Sequence, residues 1–246
     1  MGLFLSDAPA DVAVIGTPPM LPRLARAVER LGLPVRPVSP ERAETEGIGA
    51  SFHCVESAAL SGRPCPRPAV VVCTYGSVPR RFGVTPVPMS GLAPTSLLGA
   101  MLHADLQIDP QPLARLVPSV PVDLMAAFLC RPLAFAKRQD LSRLLDLSRG
   151  AVQRWLRDSG YKCPAHFFTR CRAEAWMLLA GRGVRPSVLE PYLGIHRHTN
   201  FARSCARAGV PIPWESAAVP WSHSIGVNLV RTEPSQFDRS LSPTTL

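Results

Sequence analysis

The chain has 246 residues, 46% of them apolar, enough to fill one large or two modest cores, which excludes wholesale disorder. Lys and Arg number 27 against 18 Asp and Glu, a formal charge of +9, and with only 18% charged residues the excess reflects scarce acids rather than basic blocks. The longest apolar runs, 69–73 and 124–130, fall far short of the ~20 residues that span a bilayer, and Met1-Gly2-Leu3-Phe4-Leu5-Ser6 lacks the basic start and apolar stretch of a secretory signal.

Residues 11–16 read as a buried strand, and Thr17-Pro18-Pro19 as a turn. Leu21, Leu24, Ala25, Val28 and Leu31 then recur at helical spacing, opposite Arg23, Arg26, Glu29 and Arg30, until Gly32. A second strand fits 35–38, and 68–75 reads as a third, continuously apolar like a strand buried on both faces of a parallel sheet. Beyond Gly76, prolines at 79, 86, 88 and 94 block assignment, apart from a short helix over 97–104. Residues 1–118 thus form an α/β regulatory or dimerisation domain.

The second half is helical. Leu141, Leu144 and Leu145 mark a short helix, followed by the turn Asp146-Leu147-Ser148 and a helix over 149–158 with Ser148 as its N-cap. Val152, Trp155 and Leu156 face inward, leaving Arg149, Gly150, Gln153, Arg154 and Arg157 outward. Gly160 closes this helix, Cys163-Pro164 opens a long one, and Gly181 and Gly183 stop it. The pattern then repeats: Val188, Leu189, Tyr192 and Leu193, the turn Gly194-Ile195, and a helix over 198–208 with Phe201, Cys205 and Ala208 inward. Thr199, Asn200, Arg203 and Arg207 are left for the outer face. A short helix, a tight turn and a second helix with Arg and amide side chains outward describe a helix-turn-helix, here in two copies. Arg suits guanine O6 and N7, and Gln or Asn suits adenine N6 and N7.

Charge follows the same division. Residues 1–121 carry 10 basic and 9 acidic side chains, whereas residues 131–207 carry 15 and 5, net +10. The whole excess occupies one segment of domain size, the footprint of a nucleic-acid-binding unit, with a solvated basic face as the plainer alternative. The 25 Arg to 2 Lys bias decides nothing, since GC-rich coding yields it too.

Two resemblances follow from these residues. Strand, helix and strand in the first half resemble, in degenerate form, the receiver (flavodoxin-like) domain of response regulators. A receiver needs acids after its first strand to hold a metal and an Asp at the end of its third. With Ile15-Gly16-Thr17 ending the first strand and Cys73-Thr74-Tyr75 ending the third, neither is present, so this pseudo-receiver is expected to lack phosphorylation chemistry. In the second half, Leu144-Leu145-Asp146-Leu147-Ser148-Arg149-Gly150-Ala151-Val152-Gln153-Arg154-Trp155-Leu156, then Tyr192-Leu193-Gly194-Ile195 and Asn200-Phe201-Ala202-Arg203, resemble the double helix-turn-helix domain of AraC-family regulators over 122–214. The resemblance implies two recognition helices in successive major grooves of double-stranded DNA, joined by a long helix. Gly150, Gln153 and Arg154 would sit at the first groove, and His198, Thr199, Asn200 and Arg203 at the second. Pro191, Cys205 in place of a large aromatic, and a closing segment, 208–214, one residue short depart from the family and imply a looser second unit.

Other chemistries fit less well. Cys163, His166 and Cys171 with His196 and His198 match no zinc spacing, and His53, Cys54 and Glu56 are neighbours on one short element without an oxyanion signature. Gly16-Thr17-Pro18-Pro19 lacks both nucleotide-binding glycine patterns, and no cofactor is expected. Seven cysteines without a secretory signal imply reduced thiols, and a loose myristoylation pattern at Met1-Gly2 matters only where the transferase exists. The expectation is a cytoplasmic, nucleoid-associated transcription regulator that is not an enzyme and has no membrane partner. It would bind duplex DNA, contact RNA polymerase or another regulator, and pair with itself through the N-terminal domain, with 215–246 as a tail. The alternative is a protein-interaction adaptor or anti-activator with a degenerate helix-turn-helix domain.

Overall fold

A computed structural model describes residues 3–4, 11–43, 50–60, 63–73, 83–108, 121–134 and 138–215. The first half contains β1 (Val12–Ile15), α1 (Leu21–Glu29), β2 (Val35–Val38), β3 (Phe52–Glu56), α2 (Ser57–Leu60), β4 (Ala69–Cys73), β5 (Val84–Pro88) and α3 (Pro94–Leu106). The strands form one parallel sheet in the order β2-β1-β3-β4-β5. The order changes direction between β1 and β3, which lie side by side although β2 comes between them in the chain.

Burial explains the strand sequences. The inner strands β1 and β3 are buried at every residue and β4 at all but Cys73, so alternation of polarity disappears. Successive side chains still go to opposite faces. Val12, Val14, Phe52, Cys54, Val70 and Val72 join the large core, whereas Ala13, Ile15 and Val55 join a small cluster with Val38 and Ala59. Prolines are confined to the edges, Pro37 in β2 and Pro86 and Pro88 in β5, where a missing ladder donor is tolerated.

Two strands depart from the sequence reading. Phe52–Glu56 is the third strand, and the apolar run expected to be third is the fourth, ending at Cys73, with Thr74 and Tyr75 outside the described residues. The third strand therefore ends in a carboxylate, Glu56. Val84–Pro88 pairs in register with β4 despite its prolines, and α3 begins three residues earlier and ends two later than expected. Beneath α3, Asp105 accepts the amides of Leu3 (2.8 Å) and Phe4 (3.0 Å), and both of those residues are fully buried. Burial raises the Asp105 carboxyl above its ordinary value, against the opposing pull of these two hydrogen bonds.

The second half contains α4 (Val122–Cys130), α5 (Arg138–Leu144), α6 (Arg149–Asp158), α7 (Pro164–Gly181), α8 (Pro186–Leu193) and α9 (His198–Ala208). The eighteen residues of α7 span about 27 Å at 1.5 Å each. Among the described residues no helix is long and apolar enough to cross a membrane.

The apolar core runs without a break from the sheet through α3 and α4 into α7, α8 and α9. Polar contacts to backbone carbonyls tie its parts together. Gly32, at φ +94°, lies so close to the loop after α7 that an added Cβ would stand 2.4 Å from the Gly183 carbonyl oxygen, and the Arg185 amide donates to the Leu31 carbonyl at 2.7 Å. The buried Tyr192 hydroxyl of α8 donates to the Leu129 carbonyl at the end of α4.

Candidate nucleic-acid interface

The turn before α6 is shaped locally. Asp146 adopts the left-handed region at φ +50°, which aspartate tolerates, and Ser148 caps the helix by accepting the Ala151 amide at 3.3 Å. Val152 and Leu156 are buried, and the half-buried Trp155 meets Phe167 of α7 edge to face at 5.5 Å. Tyr161, just past the helix, meets the same ring at 5.1 Å. These contacts fix the inner side of α6. Arg149, Gly150, Gln153, Arg154 and Arg157 are all exposed and together line a shallow concavity of about 420 Å³ with no acidic side chain among its described lining residues. Nothing lies within 4 Å of the position a Gly150 Cβ would take.

The second pair repeats this plan. α5 ends at Leu144 and α6 begins at Arg149; α8 ends at Leu193 and α9 begins at His198. Both turns are therefore four residues long, 145–148 and 194–197. Equivalent positions match along the second helices: Val152 with Phe201 and Leu156 with Cys205 buried, Arg154 with Arg203 exposed. Gly194, at φ +70°, ends α8 in the left-handed conformation, with the Ile195 amide donating to the Glu190 carbonyl at 2.8 Å. Pro191 lies inside α8 and is exposed; the helix starts at Pro186, so only one carbonyl, that of Ser187, loses its helical donor.

A search of family models finds no match for the chain, and neither curated proteins nor solved structures give a significant one.

The outer face of α9 divides in use. Thr199, Asn200, Arg203 and Arg207 are exposed, and the Arg207 Nε donates to the Arg203 carbonyl at 3.4 Å. His198 is engaged elsewhere. Its Nε2 lies 2.7 Å from Glu190 Oε1, and its ring stacks on Trp214 with centroids 4.6 Å apart. The half-buried Trp214 also meets Trp176 of α7 at 6.0 Å and Phe201 at 5.9 Å. Sequence reasoning passed over Arg197 and Arg172 and weighed His196 only as a metal ligand. With Asn200 and Ser204 they line a second concavity of about 390 Å³, where Arg172 donates to the Leu193 carbonyl at 2.9 Å. Two of them lie in the turn rather than on the periodic face of a helix, where helical spacing carries no signal.

The residues weighed for other chemistry do not converge. Cys54 and His53 face opposite sides of the sheet; burial pushes the Cys54 thiol up to about 12, and the His53 Nδ1 sits 3.3 Å from the Pro68 carbonyl. Glu56 Oε2 accepts both the Thr17 amide and the Thr17 hydroxyl at 2.7 Å. Cys163 is the N-cap residue of α7, and Cys171 is buried with its thiol pushed up to about 12. Among the described residues, no group of three or more His, Cys, Asp or Glu is placed to hold a metal ion.

Proposed function

We propose that the chain is a sequence-specific regulator of transcription that binds double-stranded DNA in the manner of AraC-type proteins. In this reading α5 with α6 and α8 with α9 are two helix-turn-helix units joined by α7. The observation that carries it is the repetition: two helix pairs with four-residue turns, whose second helices bury a matched apolar pair and expose a matched arginine, within a segment of net charge +10. The concavity formed by Arg149, Gln153, Arg154 and Arg157, with no acid among its described lining residues, suits a phosphate backbone and base edges. The α/β half serves as a regulatory or dimerisation module that phosphorylation does not switch, a reading supported by the occupation of the Glu56 carboxylate by Thr17. Contacts with RNA polymerase or a second regulator, and a place in the bacterial nucleoid, belong to the same reading.

The test is selection of bound sites from random duplex DNA, followed by gel shifts at rising salt. Arg154→Ala and Arg203→Ala are each expected to cost about 1–3 kcal/mol and to relax base preference, whereas Arg157→Ala weakens all sequences alike and lowers the salt slope by about 1. Failure to bind any DNA, even at low salt, would overturn the proposal in favour of a protein-interaction adaptor.

A further inference from the structure

We propose that the cleft between the sheet layer and the helical half is a binding site for a small organic acid, a molecule with one carboxylate on an apolar body. The cleft has a volume of about 480 Å³, the size of a small-molecule pocket and far above that of a packing void. Both halves build it. Thr85 of β5 and the face of α3 bearing Thr95, Ser96 and Ala100 line one side; Arg131 and Leu133, after α4, and Tyr192 of α8 line the other. Gly99 lets these walls approach, since a Cβ there would stand 3.3 Å from the Cys130 carbonyl oxygen.

The lining selects for charge and shape. Arg131 is exposed at the cleft, and none of the described residues that line it is acidic. Thr95 and Ser96 stand in the first turn of α3, whose N-cap, Ala93, makes no side-chain cap, so that turn offers amide donors beside two hydroxyls. Thr85 adds a buried hydroxyl that makes no hydrogen bond in the structure. The Cys130 thiol, pushed up to about 11 by burial, stays neutral and does not repel an anion. Apart from His103, whose Nε2 lies 2.7 Å from the Gln107 side-chain nitrogen, the rest of the lining is apolar. Tyr192 spends its hydroxyl on Leu129 and presents its ring, and Leu133 is 62% exposed, the sole large hydrophobic so exposed among the described residues. An apolar ligand body would cover it. One guanidinium and one helix terminus match one carboxylate, and hydrogen bonds to charged groups discriminate strongly against a neutral amide of the same shape.

Ligand-observed NMR on the full chain, without nucleic acid, tests the site independently of DNA binding. The probes are benzoate, phenylacetate and hexanoate against benzamide, phenylacetamide and hexanamide. At least one acid is expected to bind about tenfold or more tightly than its amide, with Arg131→Ala weakening the acid by about tenfold. Ala100→Trp, which fills the cleft, should abolish binding. Leu133→Glu, a change at an exposed position that leaves the core intact, should do the same by placing a carboxylate beside the ligand. Acids that fail to bind, acids and amides that bind alike, or acid binding that persists in both Arg131→Ala and Leu133→Glu would overturn the proposal.

Discussion

The imidazole of His198 lies flat against the indole of Trp214, 4.6 Å between centroids and 24° between planes, although sixteen positions separate them in the chain. Trp214 thereby joins the first turn of α9 to Trp176 on α7. Trp214→Ala removes three ring contacts, to Trp176, His198 and Phe201. It is expected to lower stability by about 3 kcal/mol, with Trp214→Phe costing less, as read by urea denaturation. A loss below about 1 kcal/mol would show that Trp214 does not hold α9 in place.

Gly150 offers a test in the opposite direction. It is an exposed glycine in the first turn of α6 with open space around its missing Cβ, so Gly150→Ala should raise stability by about 0.4–1 kcal/mol, chiefly by restricting the unfolded chain. Ser148→Ala, by contrast, removes the cap on Ala151 and should cost about 1 kcal/mol, whereas Ser148→Asp keeps it. Amide exchange at Ala151 together with thermal melting distinguishes the two effects.

Asp105 gives the fold a pH dependence of defined sign. Its carboxyl is raised above the ordinary value by burial, so the folded state binds its proton more tightly than the unfolded chain does. Stability from this group is therefore fully present below the ordinary carboxylate value and is lost as pH rises through the raised one. The stability of the native chain relative to Asp105→Asn should fall as pH rises through and just above the carboxylate range. Denaturant titrations at several pH values measure this difference, and a flat profile would refute it.

Thiol reactivity should sort by burial. Cys54 and Cys171 are pushed up to about 12, and Cys130 and Cys205 to about 11, in each case mainly by loss of solvent. In a native alkylation time course followed by peptide mass mapping, these four should react far more slowly than the partly exposed Cys65, Cys73 and Cys163. Equal rates across all seven would contradict the described core.

Where a residue's surroundings were local, the sequence was legible. The helical repeat of α1, the Ser148 cap and the apolar–Arg patterning of α6 and α9 depend on neighbours within a turn or two, and each appears in the structure within a residue or two of its expected place. β3 was missed because its histidine and glutamate read as chemistry; in the sheet they are buried polar residues served by Pro68 and Thr17. β5 was missed because proline excludes inner strands, and only the sheet order reveals that this strand is an edge. The pairing of His198 with Glu190 and Trp214, and of Asp105 with Leu3, joins distant segments to which no periodicity points.

The seam at Gly32 and Arg185 has a practical consequence for dissecting the gene. Because it is made by backbone atoms, removing a side chain will not loosen it, and an expression fragment starting at Val122 would leave the Arg185 amide without Leu31 and strip α4 and α8 of the α3 surface that covers them. Such a fragment would expose apolar surface and tend to aggregate. Fragments meant to retain the folded helices should retain the sheet as well.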